Sequence, residues 1–368
     1  MKFERVSDIA SLRALQPQWT RLHRSLPCAS VFTSPAWVLN WLDHFAPSTP
    51  LRCLTLWDEA TGPQPHALRA VLPLLPQRTQ WRRVPVTALT ACTNAHSVRS
   101  ALLFDPADET TVFRALAQDL RRAPEWDMLL LDGCDLAADL PRATALPREL
   151  AAERWQHCSL TVQGSWEAHL AARSRDLRRN LRRVQADLST MGAVEFELIE
   201  HDAARLFDHW VMVDRASWKA DHGETVDSNA RTQNYYRRML TEAAAQNQLF
   251  GVVLMLNQQA VGTLVALRDK GVLYTLKTAT RADLSTARLS VGALLMAHLL
   301  KTVWQRGDVK QIDFVNKAPY TTRWTTQTRE FERRVAFAPS WRGQAAGWLE
   351  RVCQRLTTTD ADAKSVTA

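Results

Sequence analysis

Residues 271–324 read GVLYTLKTATRADLSTARLSVGALLMAHLLKTVWQRGDVKQIDFVNKAPYTTRW. The β-rich run 272–278 predicts a strand, 279–289 a polar loop, and 290–306 a helix. Gly307 stops that helix and a short strand follows at 311–315. Ser290 is a good N-cap, since a serine hydroxyl accepts from an orphan amide of the first turn. Leu294, Leu295, His298, Leu299, Thr302 and Val303 recur at helical spacing, so one face is apolar. Lys301 and Arg306 lie toward the C-terminal end, where cations suit the helix dipole, and Gly307 supplies a left-handed stop. Strand, loop, helix start and strand in that order present free backbone amides to an anion. Gly292 in the first turn lets a phosphate approach the backbone. An ordinary βαβ unit with a capped helix carries the same signature.

The preceding residues narrow the reading. Apolar runs at 249–256, 260–267 and 272–278 are separated by turn signals at 257–259 and 269–271, which predicts an antiparallel three-strand meander. Upstream stand a strand at 194–199 and helices at about 203–217 and 229–246. The order βααβββαβ is that of the GNAT acyltransferase fold.

Four segments resemble a known family. The first is Leu177-Arg178-Arg179-Asn180-Leu181-Arg182-Arg183, followed by Gly192-Ala193-Val194-Glu195-Phe196-Glu197. The second is Ser217-Trp218-Lys219 with Gly223 and Thr225, against a pattern close to SWKG..GT. The third is Lys277-Thr278-Ala279, then Leu289-Ser290-Val291-Gly292, where the family usually has SPG. The fourth is Asp313-Phe314, then Ala318-Pro319-Tyr320-Thr321-Thr322-Arg323-Trp324, against DF...G..PYK..W. Residues 166–337 resemble the BioF2-like, or CelD/BcsL-type, acetyltransferases, relatives of the FemAB peptidoglycan aminoacyl-ligases. Val291 replaces the loop proline and Thr321 the lysine after Pro-Tyr. These departures point to a changed donor, a changed acceptor or reduced activity.

With 368 residues the chain has material for two domains. A hydrophobic content of 46% and a charged content of 23% are those of an ordinary globular protein. The net charge of +8 attracts anions of any kind, whether phosphorylated cofactor, nucleic acid or anionic membrane face. Six scattered cysteines form neither CxxC nor zinc spacing, and are expected as reduced, mostly buried thiols. The first residues carry charges throughout, with no apolar signal region, and no window approaches a membrane span. A cytoplasmic location is expected.

In the N-terminal half a strand is expected at 3–6, a helix at 7–24, and a helix opened by Ser34 and Pro35 whose Trp37, Trp41 and Phe45 face inward. Strands follow at 51–57 and 70–75 around a Gly/Pro turn at 61–65. Weaker strands fall at 84–89 and 98–104, then a helix at 109–122 and a strand at 128–131. This echoes the second half. The expected fold is a mixed-sheet α/β (α+β) protein of tandem GNAT-like domains, the architecture FemAB resemblance also implies. The expected division is 1–160 as a degenerate N-terminal unit, 161–345 as the acyltransferase unit, and 346–368 as a helix with a disordered tail. A linker is expected at about 158–164.

Chemistry-bearing residues cluster in the second half. Residues 173–183 hold six arginines against one acid, Asp176. On a helix they form either an anion clamp, an RNA contact or a solvated face. Arg179, Asn180, Trp218, Lys219 and Arg323 are candidates for acceptor binding. Lys277 sits late in a strand between apolar neighbours, and a buried lysine needs an anionic partner. Asp313, between Ile312 and Phe314, is a candidate general base or a salt-bridge partner of Lys277 or Arg323. Tyr320 is a candidate acid toward a leaving thiolate. His222 and Glu224 are weaker candidates.

Neither GxGxxG nor GxxxxGK[ST] occurs, nor GxSxG or HExxH. The reading is an acyl-CoA-dependent N-acyltransferase, donor acetyl-CoA or another acyl-CoA, with no metal. The donor pyrophosphate rests on the segment Arg288, Leu289, Ser290, Val291, Gly292 and Ala293. Asp313, Lys277 and Tyr320 carry the chemistry. The acceptor amine belongs to a small molecule or a cell-envelope or polysaccharide precursor and attacks the thioester directly. Two rivals stay open. One is an aminoacyl-tRNA-dependent ligase, for which alone nucleic acid would be a partner. The other is a non-catalytic exopolysaccharide-assembly factor.

Overall fold

The computed structural model describes residues 1–58, 67–122, 125–135, 150–286 and 289–365. The Gly/Pro turn expected at 61–65 and the extreme end of the expected tail, 366–368, lie outside them. In chain order the elements are β1 (Lys2–Val6), α1 (Ile9–Ala14), α2 (Gln16–Ser25), α3 (Pro35–Phe45), β2 (Arg52–Trp57), β3 (Leu68–Trp81), β4 (Val84–Ala91), β5 (Leu103–Phe104), α4 (Glu109–Arg122) and β6 (Met128–Asp135). There follow β7 (Leu150–Thr161), α5 (Trp166–Ala171), α6 (Arg175–Met191), β8 (Val194–Ile199), α7 (Ala203–Arg215), α8 (Ala230–Ala245), β9 (Leu249–Leu256), β10 (Gln259–Asp269) and β11 (Val272–Thr280). The chain closes with α9 (Ala282–Thr286), α10 (Val291–Arg306), β12 (Gln311–Asp313), β13 (Thr328–Phe337) and α11 (Trp341–Ser365).

Two compact units result. One comprises Met1–Trp155 with Glu330–Ala368, the other Gln156–Arg329. Within the first, β1, β2, β3 and β4 pair antiparallel in that order, β4 pairs β6 in parallel, and β13 closes antiparallel on β6. Within the second, β8, β9, β10 and β11 pair antiparallel, β11 pairs β12 in parallel, and β7 closes antiparallel on β12. The two topologies coincide strand for strand. The chain is a mixed α/β protein built as a tandem of GNAT-like units.

The structure departs from the expectations where long-range pairing decides. Residues expected as a linker at 158–164 include the end of β7. Thr161, Leu160 and Ser159 stand opposite Gln311, Ile312 and Asp313. Strand β13 was not anticipated, and it lies with the first unit. The expected helix at 7–24 breaks at Leu15, because Pro17 opens a second helix. The expected strand at 98–104 shrinks to Leu103–Phe104. Ser34 does cap α3, its Oγ accepting from Trp37 N at 3.2 Å. Trp37 and Trp41 are buried, while Phe45 is half-buried and stacks on His96.

In the second unit α6 buries Leu177, Leu181, Val184 and Leu188, spaced at three and four residues. These join Leu295, Leu299 and Val303 of α10 in one core against β9 and β10. Helix α10 lies close to the sheet because β10 has Gly262 beneath it. A Cβ there would stand 2.6 Å from Val291 Cγ1. Helices α7 and α8 pack on each other and on the same sheet, bringing the end of α7 near β11.

Candidate functional site

Strands β11 and β12 pair over only three residues, Val272↔Gln311, Leu273↔Ile312 and Tyr274↔Asp313. Beyond that β11 continues from Thr275 to Thr280 while β12 ends. The cause is local. Asp313 Oδ1 accepts from Val315 N at 2.8 Å, and Val315 takes a left-handed φ of 57°. Phe314 N then donates to Cys158 O at 3.0 Å, and Cys158 N to Asn316 O at 2.7 Å. The chain after β12 is thereby drawn onto β7. On the other edge of β11, Val265 opposes Lys277 and Ala266 opposes Thr275, so Leu276 is an extra residue. Such a bulge re-aims the side chains that follow it. Lys277 therefore sits just past a bulge, on the stretch of β11 that β12 has left.

Helix α10 begins beside the end of this stretch. A Cβ on Gly292 would meet only Thr280 Cγ2, at 3.8 Å, so the backbone of the first turn is approachable. Ser290 is the N-cap by position, yet its hydroxyl accepts no amide of the first turn, contrary to expectation. Its carbonyl does so instead, from Ala293 N at 2.9 Å. Leu289 and Val291 are buried in the core at 6% and 1% exposure. Only their backbone groups are therefore available to a ligand. Ala293 is half-buried. Arg288 lies outside the described residues.

A charged cluster faces Lys277. Asp214, in the last turn of α7, is 1% exposed. Its Oδ1 receives Lys219 Nζ at 2.8 Å and its Oδ2 the amide of Val226 at 2.7 Å. The Ser217 hydroxyl donates to Asp214 O at 2.7 Å, which pins the start of the Trp218-Lys219 loop. Lys277 Nζ lies 5.6 Å from the centre of the Tyr236 ring. Among the described residues no carboxylate lies within 4.0 Å of it. Burial first, and then the Lys219 ammonium, push the Lys277 pKa below its ordinary 10.5, while Asp214 pulls it back up. Tyr236 is pushed above the usual phenol range by burial and by Asp214.

The remaining candidates stand apart from this cluster or serve local structure. Asp313 is fully buried and makes the turn bond already described. Tyr320 is half exposed, with Asn316 Nδ2 donating to its hydroxyl. Arg323 is exposed. Arg179 is exposed and pairs with Asp176 at 3.0 Å, and Asn180 Oδ1 accepts from Arg183 at 3.1 Å. Arg175, Arg179, Arg182 and Arg183 thus form a solvated face of α6. Trp218 is 56% exposed, set edge-on to His222. Both departures from the family pattern are packed. Val291 seats on Gly262, and the Thr321 hydroxyl accepts from Ala318 N and donates to Ala318 O, each at 2.9 Å.

Sequence reasoning missed Asp214 and Tyr236. The one available signal was the five-residue separation of Asp214 from Lys219 across the end of a helix. Among the described residues no group of three or more His, Cys, Asp or Glu is placed to hold a metal ion, and no helix is long and apolar enough to cross a membrane.

In the first unit the equivalent helix, α4, starts at Asp105, Asp108 and Glu109. These carboxylates lie at the positive helix end and also pair with arginines, Asp108 with Arg69 at 2.7 Å and Glu109 with Arg334 at 3.5 Å.

Residues 175–322 match the acetyltransferase (GNAT) domain family. No curated protein matches the chain. Among solved structures, FemX is similar at 9% identity and a TM-score of 0.54, over 90% of this chain and 97% of that one. The C-terminal domain of a protein described as a lysylphosphatidylglycerol synthetase, from Agrobacterium fabrum, is similar at 10% identity and a TM-score of 0.52, over 88% and 92%. Identities this low establish the fold alone.

Proposed function

We propose that the chain is an acyltransferase whose second unit passes an acyl group from acyl-CoA to an acceptor amine by direct attack. The observation that carries this reading is Lys277, set on the part of β11 that β12 has left. It lies between an approachable helix start and a buried Asp214–Lys219 pair. The donor pyrophosphate rests on amides from Ser290 to Ala293, and the pantetheine arm runs between β11 and β12. The acceptor enters from the side of Trp218 and Lys219. Burial and Lys219 favour the neutral amine of Lys277, which takes the proton that the acceptor nitrogen loses as its bond to the acyl carbon forms, while the thioester C–S bond breaks and coenzyme A leaves as its thiolate. Asp313 holds the turn that parts the strands. The finer resemblance to BioF2-like acetyltransferases favours an acetyl or short acyl group, a small-molecule or cell-envelope acceptor, and work in the cytoplasm.

A second reading is an aminoacyl-tRNA-dependent ligase. The exposed arginine face of α6 and the likeness to FemX favour it, since such a face suits a polyanion.

A thermal-shift titration at fixed salt separates the two. A ligand bound only by the folded state at 100 times its Kd stabilises by about 2.7 kcal/mol. We expect a shift with CoA and acyl-CoAs but none with ATP or tRNA. A shift with tRNA alone selects the ligase. Gly292→Glu tests the donor site directly. Its Cβ has room, so the fold is expected to hold, while the new carboxylate occupies the helix end and weakens acyl-CoA binding at least about tenfold. Unchanged affinity would remove the donor from this helix start.

A further inference from the structure

Helix α11 reverses the usual arrangement of a helix against a sheet, in which large apolar side chains face inward. Its small residues face inward instead. A Cβ on Gly343 would come within 2.6 Å of Asp127 O, and one on Gly347 within 2.9 Å of the Phe337 ring, while Ala346 is fully buried. Trp341 and Trp348, two helical turns apart, stand on the opposite face at 70% and 60% exposure. No other large hydrophobic side chain among the described residues is as exposed.

The charge on this helix is sorted in the same way. The one acid in 341–354 is Glu350, which is 1% exposed on the inward face. It accepts from Trp81 Nε1 and Arg82 Nε, each at 3.0 Å. That contact ties the β3–β4 hairpin to α11 through Trp81 and Arg82. Arg342 lies 5.2 Å from the Trp341 ring. The outward surface of 341–354 thus carries two exposed tryptophans with Arg342 beside one of them, and no carboxylate of that segment.

We propose that this face of the first unit docks on an anionic lipid surface. Tryptophan combines a broad apolar ring with one hydrogen-bond donor, which suits the headgroup level of a bilayer. Arg342 beside Trp341 adds attraction to anionic lipids. A second copy of the chain would set the same cations against each other, which disfavours self-association through this face. The inference concerns the first unit and stands apart from the acyl-transfer reading.

The test is co-sedimentation of the full chain with phosphatidylcholine vesicles, with and without phosphatidylglycerol. Binding is expected only to the phosphatidylglycerol vesicles, weakening as salt is raised. The Trp341→Ser/Trp348→Ser double variant is expected to partition at least about tenfold less. Both side chains are exposed, so it should melt within about 2 °C of wild type. Absence of binding to anionic vesicles overturns the proposal. So does equal binding by the double variant. Concentration-dependent self-association that the double variant abolishes assigns the face to a second copy instead.

Discussion

Lys277→Met is expected to lower turnover by about 10²- to 10⁴-fold, the usual contribution of a positioned acid–base group. Donor affinity should stay within about twofold of wild type, because the donor phosphates rest on backbone amides of α10. Methionine keeps the unbranched stem that packs beside Tyr236 and removes only the amine. The pH profile gives a second readout. The Lys277 pKa lies below its ordinary 10.5, mainly through burial and then through Lys219. The neutral amine accumulates as pH rises, so turnover should climb with pH and level off above the folded-state pKa. Lys219→Met removes the like charge and should move that rise to higher pH. Lys277→Met should lose it. Turnover retained in Lys277→Met would assign the proton of the acceptor nitrogen to another group.

The same shift has a consequence for stability. Between the lowered pKa of the folded chain and the ordinary value of the unfolded one, the unfolded state binds more protons. Stability therefore rises with pH across that window. Tyr236 and the buried thiols, raised by burial, act in the opposite direction in both proteins, so the effect is read as a difference: in chemical denaturation at several alkaline pH values, the stability of wild type relative to Lys277→Met should rise with pH across that window.

The parts of this fold that were legible in the sequence are those that short-range chemistry decides. The meander of the second unit is written in its turns. Asn257 and Gln258 take φ of 49° and 65°, and Lys270 and Gly271 take 49° and 75°, the left-handed pairs that two-residue hairpins require. Helices α6 and α10 are written in their apolar spacing. What was not legible depends on partners far along the chain. Each unit closes its sheet with a strand from outside its run of consecutive β elements, β13 in the first and β7 in the second. Hence a segment with strand composition at 158–161 read as a linker. At the two departures from the family pattern, Val291 packs over Gly262 of β10 and Thr321 closes a turn through Ala318, contacts with residues elsewhere that no local pattern announces. Asp214 escaped notice because an acid in the last turn of a helix is ordinary on a surface. Its burial comes from residues distant along the chain, the 217–226 loop that closes on it and Tyr236 of α8 beside it.

That burial makes Asp214→Ala the substitution expected to cost most in stability. Asp214 holds Lys219 through one oxygen and the Val226 amide through the other, and it is 1% exposed. Removing it strands a largely buried ammonium and a buried N–H, whose combined loss is about 3 kcal/mol. For a unit of this size that corresponds to a melting transition lower by roughly 6–12 °C. Asp214→Asn keeps an acceptor for one of the two donors and should fall between the two. The pair also has an electrostatic reach that a purely mechanical anchor would lack. Asp214 is the one group raising the Lys277 pKa against burial and Lys219, so neutralising it in Asp214→Asn should shift the rise in turnover to lower pH. A variant that melts lower while its pH profile stays in place would confine Asp214 to holding the loop. A variant that melts like wild type would mean that the loop from Ser217 to Val226 keeps its shape without the ion pair. Lys219 would then be free to meet the acceptor on its own.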